Sequence, residues 1–183
     1  MKKLSRDFYK RDTQIVAKEL LGTYLIRKIN DVEYIGRIVE VEAYLGEHDL
    51  AAHSSKGITK RTKIMFGPPG FAYVYMIYGL HYCFNVVTEE EGQGAAVLIR
   101  ALEPVKNLTQ NTRGPALLCK AMSINKTLNG HDLLSTDFYI AKPLEEPNFS
   151  IIAKPRIGVH YAKEWADCPL RFYIKDNLYI SKS

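Results

Sequence analysis

Apolar and polar positions alternate along this chain with two periods, and each change of period marks the end of an element. Asp12-Thr13 offers an N-cap, Ile15, Val16 and Leu20 make an apolar stripe, and Gly22 supplies a stop, so a short helix is predicted there. Thr23 to Ile29 and Tyr34 to Tyr44 read as strands joined by the Asn30-Asp31 turn, and Ser54 to Gly70 as a basic loop. Tyr73 to Tyr78 and Leu80 to Val87 alternate as two strands around Tyr78-Gly79, and Ala95 to Leu102 is a further strand closed by Glu103-Pro104. Gly114-Pro115 before Ala116, Leu117, Leu118 and Ala121 predicts a helix with proline at its first position; Arg156 to Val159 and Leu170 to Ile174 read as late strands. Because the strands mostly follow one another without intervening helices, the expected class is α+β. The expectation is one compact domain over residues 1–183, with a mixed and largely antiparallel sheet, a protruding tyrosine-rich β-hairpin and flanking helices.

Composition narrows the setting. A chain of 183 residues can bury roughly 70% of its unfolded surface in one domain, so it requires no staples. Cys83, Cys119 and Cys168 are odd in number and form no CxxC pair, which argues for a reducing compartment and against both a disulfide framework and a zinc knuckle. The start, Met1-Lys2-Lys3-Leu4-Ser5-Arg6-Asp7, is too charged for a signal peptide, and no apolar run approaches membrane-spanning length. A cytoplasmic protein with no membrane partner is expected. The net charge of +5 is patchy, with Lys2, Lys3, Arg6, Lys10 and Arg11 at the start and Lys56, Lys60, Arg61 and Lys63 later. Such patches fit a phosphate-backbone partner, although mild basicity also serves solubility.

The candidate chemistry centres on Val39-Glu40-Val41-Glu42-Ala43-Tyr44. Two carboxylates two residues apart on a strand share one face, about 6 to 7 Å apart along it. With Tyr44 and His53 nearby they point to a polar, aromatic-lined pocket suited to proton transfer; the alternative is a solvated edge-strand face of Glu33, Glu40 and Glu42 with Val39 and Val41 packed inward. Arg100 interrupts an apolar strand and needs a partner, either Glu103, solvent or, across the sheet, Glu42. Asn85 is a polar group in an apolar run and reads as a satisfied core amide or a specificity element. The run from Tyr73 to Tyr82 is dense in tyrosine. Period-2 packing accounts for Tyr73, Tyr75 and Ile77, whereas Tyr78, beside the glycine of a tight turn, projects from the fold as a candidate wedge. His48 and His53 lack metal-motif spacing, and no G-x-S-x-G elbow, P-loop or dinucleotide fingerprint is present, so neither metal nor cofactor is expected.

Taken together, Arg37 to Gly46, Ala51-Ala52-His53-Ser54, Tyr73 to Gly79, Ile99 to Pro104, Gly114 to Cys119 and Pro169 to Tyr173 closely resemble the alkyladenine (3-methyladenine) DNA glycosylase family of bacterial type. The blocks occur in family order over nearly the whole chain. The resemblance implies a monofunctional glycosylase that flips damaged purines of the 3-methyladenine, 7-methylguanine, hypoxanthine and ethenoadenine class from duplex DNA. It would then cut the N-glycosidic bond with an activated water, initiating base excision repair. It implies Glu42 as general base and Arg100 as the arginine that positions it. Tyr44, His53 and Tyr75 become the walls against the extruded base, and Asn85 the residue that collides with the amine of normal guanine. Tyr78 becomes the tip that fills the gap in the duplex, with Leu80 beside it where relatives often carry methionine. The implied partner is double-stranded DNA containing alkylated or deaminated purines, bound by a monomer. The segment Val105 to Thr112 is shorter than in relatives, which bears on backbone contacts and not on the catalytic blocks.

Two further classes compete. A non-catalytic lesion- or nucleic-acid-binding module would use the same aromatic slot, but gains nothing from a buried anion facing phosphates. A carbohydrate hydrolase would use Glu40 and Glu42 as acid and nucleophile. Neighbours on one strand face rarely flank a scissile bond from opposite sides, which ranks that reading last.

Overall fold

A computed structural model describes residues 1–183. The chain runs β1 (Lys2–Lys3), α1 (Arg6–Tyr9), α2 (Thr13–Leu20), β2 (Tyr24–Ile29), β3 (Val32–Tyr44), β4 (Ala72–Ile77), β5 (His81–Thr88), β6 (Ala95–Lys106), α3 (Pro115–Ala121), β7 (Phe138–Lys142), β8 (Ile151–Lys154) and β9 (Arg171–Ile174). These strands form one sheet in the order β1-β7-β2-β3-β6-β5-β4, with β9 alongside β3 and β8 outside β9. Every pairing is antiparallel, so the sheet is not mixed. The reason lies in the connections. Several sequential strands, β2-β3, β4-β5 and β5-β6, pair directly with one another, and strands that follow each other through a connection too short for a crossover can pair only antiparallel.

Strand β3 is the spine. Its first half lies between β2 and β6 and its second half between β9 and β6. A strand covered on both edges, with helices α2 and α3 packed over the sheet, has little solvent left to face. Residues Ile38 to Ala43 are accordingly buried without interruption, Glu40 and Glu42 at 0% exposure among them. The solvated-edge alternative fails for these two, while Glu33 is half-buried and pairs with Lys28 and Lys106.

The local signals for α2 hold. The Asp12 carboxylate accepts from the Gln14 and Ile15 amides, and Gly22 takes a positive φ of 82° after the helix ends. Val16, Ala17 and Leu20 make the buried stripe, while Ile15 is exposed. The Asn30-Asp31 turn uses left-handed φ at both residues, the geometry that matches strand twist across a tight turn.

Two further expectations are corrected. Arg156 to Val159 is not a strand; the strand is Ile151–Lys154, and the later residues form an irregular segment spent on side-chain contacts. Strand β6 does not close at Glu103-Pro104 but runs to Lys106, because the register against β3 shifts where Pro104 sits opposite Gly36. The basic loop contains a single 3-10 turn at His53–Lys56. Strand β7, which pairs with both β1 and β2, lies outside the elements the sequence predicts, as do β1 and α1.

Candidate active site

On β3, residues two apart point the same way, so Glu40, Glu42 and Tyr44 share a face. The register against β6 slips on both sides of Glu40, pairing it with Ala101 and Val41 with Ile99, which leaves Arg100 without a Cα partner. A bulge of this kind re-aims a side chain. Here it delivers the Arg100 guanidinium between the two carboxylates: Nη1 lies 3.3 Å from Glu42 Oε1, and Nε donates to Glu40 Oε1 at 3.2 Å. The expected Arg100–Glu42 pair is therefore present, yet the aligned hydrogen bond goes to Glu40. Glu103 is not the partner of Arg100, since it is taken by Arg37 and Asn177.

Glu42 is oriented by two more donors. The Tyr44 hydroxyl donates to Oε2 at 2.8 Å, and the Ile157 amide donates to Oε1 at 2.7 Å. The carboxylate thus stands in the wall of a cavity of about 420 Å³. Tyr44, His53, Tyr75, Asn85 and Arg100 line it too, with Tyr78 at its edge, so residues drawn from 42 to 100 converge on one chamber. Leu80 does not; it lines a shallow groove with Tyr82 and the α3 residues Ala116 and Cys119.

In the aromatic wall His53 meets Tyr73 and Tyr75 edge to face, while the two tyrosine rings are tilted at 34° to each other. The His53 and Tyr75 ring centroids lie 4.6 Å apart at 73°, and Tyr73 lies 5.4 Å from Tyr75. His53 Nδ1 is 3.0 Å from the Tyr73 hydroxyl. Burial, and then the charge of Arg61, lowers the His53 pKa to about 4, so the imidazole is neutral at pH 7. Arg61 itself sits 5.1 Å over the Tyr75 ring. Tyr75 and Tyr44 are both raised above the usual phenol range, by burial first, and remain protonated. The buried Asn85 amide donates to the Tyr73 carbonyl across the strand pair at 3.2 Å, which fixes its orientation towards the cavity.

Several contributors carry no local mark. Tyr73 looked like packing alone and is a cavity wall as well. Tyr161, 65% exposed, reaches the Ala51 carbonyl with its hydroxyl at 3.0 Å and lines the mouth. Behind Tyr44 lies a fully buried ion pair in which Arg156 Nη1 and Nη2 meet the two Asp49 oxygens at 2.6 and 2.9 Å. Arg156 also donates to the Ala43 carbonyl and stacks 4.7 Å over the Tyr44 ring. Burial alone would lower its pKa, but Asp49 outweighs that and raises it. Gly46 makes this possible: at φ 112° it turns the chain out of β3 against the Gln93 carbonyl, where a Cβ would come within 2.6 Å. A local Asx pattern, Asp49 accepting from the Ala51 amide, was the one readable hint.

At the far end of β4 and β5, Tyr78 (φ 51°) and Gly79 (φ 66°) are both left-handed, and the Leu80 amide donates to the Ile77 carbonyl. Tyr78 is 91% exposed and Leu80 73%. No three His, Cys, Asp or Glu side chains converge as metal ligands, and no helix is long and apolar enough to cross a membrane.

Comparison with known proteins bears on this chemistry. The model of the methylpurine-DNA glycosylase family matches residues 7–178. A Legionella pneumophila (strain Lens) protein named "Putative 3-methyladenine DNA glycosylase" is 70% identical to this chain over 100% of both sequences. Proteins of the same name from Myxococcus xanthus and Desulfitobacterium hafniense are 48% and 47% identical, covering 98% and 99% of this chain and 93% and 99% of their own.

Proposed function

The chain belongs to the methylpurine-DNA glycosylase family, and from that premise we propose that it excises alkylated purines such as 3-methyladenine from duplex DNA, with Glu42 as the general base. The observation that carries the reading is a fully buried carboxylate held by Tyr44 and the Ile157 amide at the wall of an aromatic cavity. A base inside the helical stack cannot reach that wall. It must be extruded, at a cost of a few kcal/mol that is smallest for a damaged pair.

Once extruded, the base lies among Tyr44, His53 and Tyr75. A neutral imidazole does not repel a cationic purine, and the tyrosine faces attract it. Alkylated bases leave readily, so the residue most needed is a base for the attacking water, the role assigned to Glu42; Arg100 positions it. Neutral lesions such as hypoxanthine need protonation to leave, and the residues around this cavity supply no dedicated acid. The monofunctional reading is supported by a cavity lined without lysine. We place the enzyme in the cytoplasm, a reading supported by its free cysteines. Base release from duplexes each carrying one defined lesion tests the function. Release of 3-methyladenine or 7-methylguanine is expected, and lesion binding without release would favour a binding module instead.

The finer reading of β4 and β5 is a protruding tyrosine-rich hairpin whose Tyr78 tip, with Leu80 beside it, enters the gap left by the extruded base. It rests on the exposure of both side chains and the left-handed turn. Tyr78→Ala should therefore weaken binding to a lesion duplex about tenfold or more while barely changing binding to the same lesion in single-stranded DNA. Equal losses on the two substrates in a titration would make Tyr78 a packing residue.

Asn85 is proposed to disfavour normal guanine, since its amide is pinned by the Tyr73 carbonyl and cannot swing away from a 2-amino group; 7-methylguanine carries the same group, but its positive charge is attracted by the tyrosine faces and makes it a ready leaving group, which offsets the clash. Asn85→Ser should raise guanine release from a G·T pair, where flipping is least costly, with hypoxanthine release as control. Flat guanine release from a folded variant would move selectivity elsewhere in the slot.

A further inference from the structure

Glu40 is as buried as Glu42 and has no place in the mechanism above, yet it accepts four hydrogen bonds, as many as the Asp49 carboxylate of the buried ion pair. Arg100 Nε and Arg171 Nη1 each donate to its Oε1 at 3.2 Å. The Ser181 amide donates to Oε2, and the Ser181 hydroxyl donates to Oε1 at 2.9 Å. Arg171 in turn donates to the Pro155 and Lys182 carbonyls, so the segment carrying Ser181 and Lys182 is strapped across this buried cluster.

The charges explain why so much is spent here. Two carboxylates and two guanidinium groups balance, but they are not shared evenly: Arg171 serves Glu40, and Arg100 serves both acids. Arg100 directs its Nε–H to Glu40 and its Nη2 to Ser181 Oγ at 3.3 Å. Only Nη1 is left towards Glu42, close in distance but outside hydrogen-bond alignment. A guanidinium docked squarely on a carboxylate makes it a weaker base.

We infer that Glu40, anchored by Ser181, is a positioning residue that holds Arg100 back from full engagement with Glu42 and so keeps Glu42 basic enough to take a proton from water. The inference rests on the reading of Glu42 as general base. It gives the strap a catalytic consequence at a distance: the Ser181 hydroxyl both donates to Glu40 and accepts from Arg100 Nη2, so its loss, like the neutralising of Glu40, releases Arg100 towards Glu42.

The two changes thus have the same sign, and the loss of the Ser181 hydroxyl is the smaller because the Ser181 backbone amide still donates to Glu40. Few other groups near Glu42 titrate across the assay range. Tyr44 on β3, Tyr75 on β4, Cys83 on β5 and Tyr161 after β8 are all raised by burial and stay protonated. Arg100 on β6 and Arg156 after β8 are raised and stay charged, and Arg171 on β9 is a guanidinium held at Glu40. His53 carries a lowered pKa of about 4, in the range where a carboxylate limb is read, so the shift is taken as the difference between variants that all keep His53.

Single-turnover release of 7-methylguanine is to be measured against pH for the native protein and for Glu40→Gln, Ser181→Ala and Glu42→Gln. Glu40→Gln should shift the acidic limb down by about one pH unit and lower the plateau about three- to tenfold, since a weaker base accepts a proton less readily. Ser181→Ala should shift the limb down by a few tenths of a unit. Limbs that coincide with the native one, or that move up, overturn the inference. If Glu40→Gln does not fold, Ser181→Ala decides alone, because Ser181 belongs to the peripheral strap: a lowered limb supports the inference and an unmoved or raised limb ends it. Excision retained in Glu42→Gln is a separate result, and would remove the assignment of Glu42 itself.

Discussion

Glu42→Gln is expected to leave lesion binding intact and to slow base release by a factor on the order of 10² to 10⁴, the usual worth of a positioned general base. The substitution is nearly isosteric. The Tyr44 hydroxyl and the Ile157 amide both donate to Glu42, and a glutamine oxygen can still accept one of those bonds while the cavity keeps its volume. What disappears is the capacity to accept a proton from water. The comparison that isolates this is Glu40→Gln, which removes a carboxylate of equal burial two residues away and should cost about tenfold at most. Binding titrated on a lesion duplex, with release followed in a single turnover, separates the two effects. Native-like release by Glu42→Gln would remove the mechanism, and weakened binding with unchanged release would make Glu42 a base-recognition residue.

Asp49→Ala is expected to destabilise the fold by about 3 to 5 kcal/mol, the cost of leaving one member of a buried ion pair uncompensated. Both side chains of the Asp49–Arg156 pair are at 0% exposure, so solvent cannot take over from either partner. The loss also reaches the active site, because Asp49 accepts from the Leu45 and Ala51 amides while Arg156 packs on the Tyr44 ring. Urea denaturation checks the first effect, read as a lower midpoint at unchanged slope. Single-turnover release at low temperature, where the variant remains folded, checks the second. A midpoint shift corresponding to under about 1 kcal/mol would mean that the pair contributes no more than an exposed one.

Most of the fold was legible locally. Capping at Asp12, the turns at Asn30-Asp31 and Tyr78-Gly79 and the proline opening α3 each depend on a few adjacent residues, and each is where the residue pattern puts it. The misreadings share a cause. Arg156 to Val159 alternates like a strand, but its partners are Asp49, Glu42 and the Ala43 carbonyl, side chain and backbone more than 100 positions away. Glu103-Pro104 looks like a strand end, and a register shift against β3 carries the strand past it.

The sequence by itself determined the α+β class, the placing of Glu40, Glu42 and Tyr44 on one face and the exposure of Tyr78, because side-chain alternation and turn chemistry are properties of near neighbours. Only the tertiary structure decided which carboxylate stands at the cavity and which is consumed. Glu40 and Glu42 are two residues apart on one strand and alike in burial; they differ because a bulge at Arg100, the strap at Ser181 and the Ile157 amide each approach from a distant part of the chain. Register and long-range approach are settled by the packing of the whole sheet, and no short window of residues encodes them.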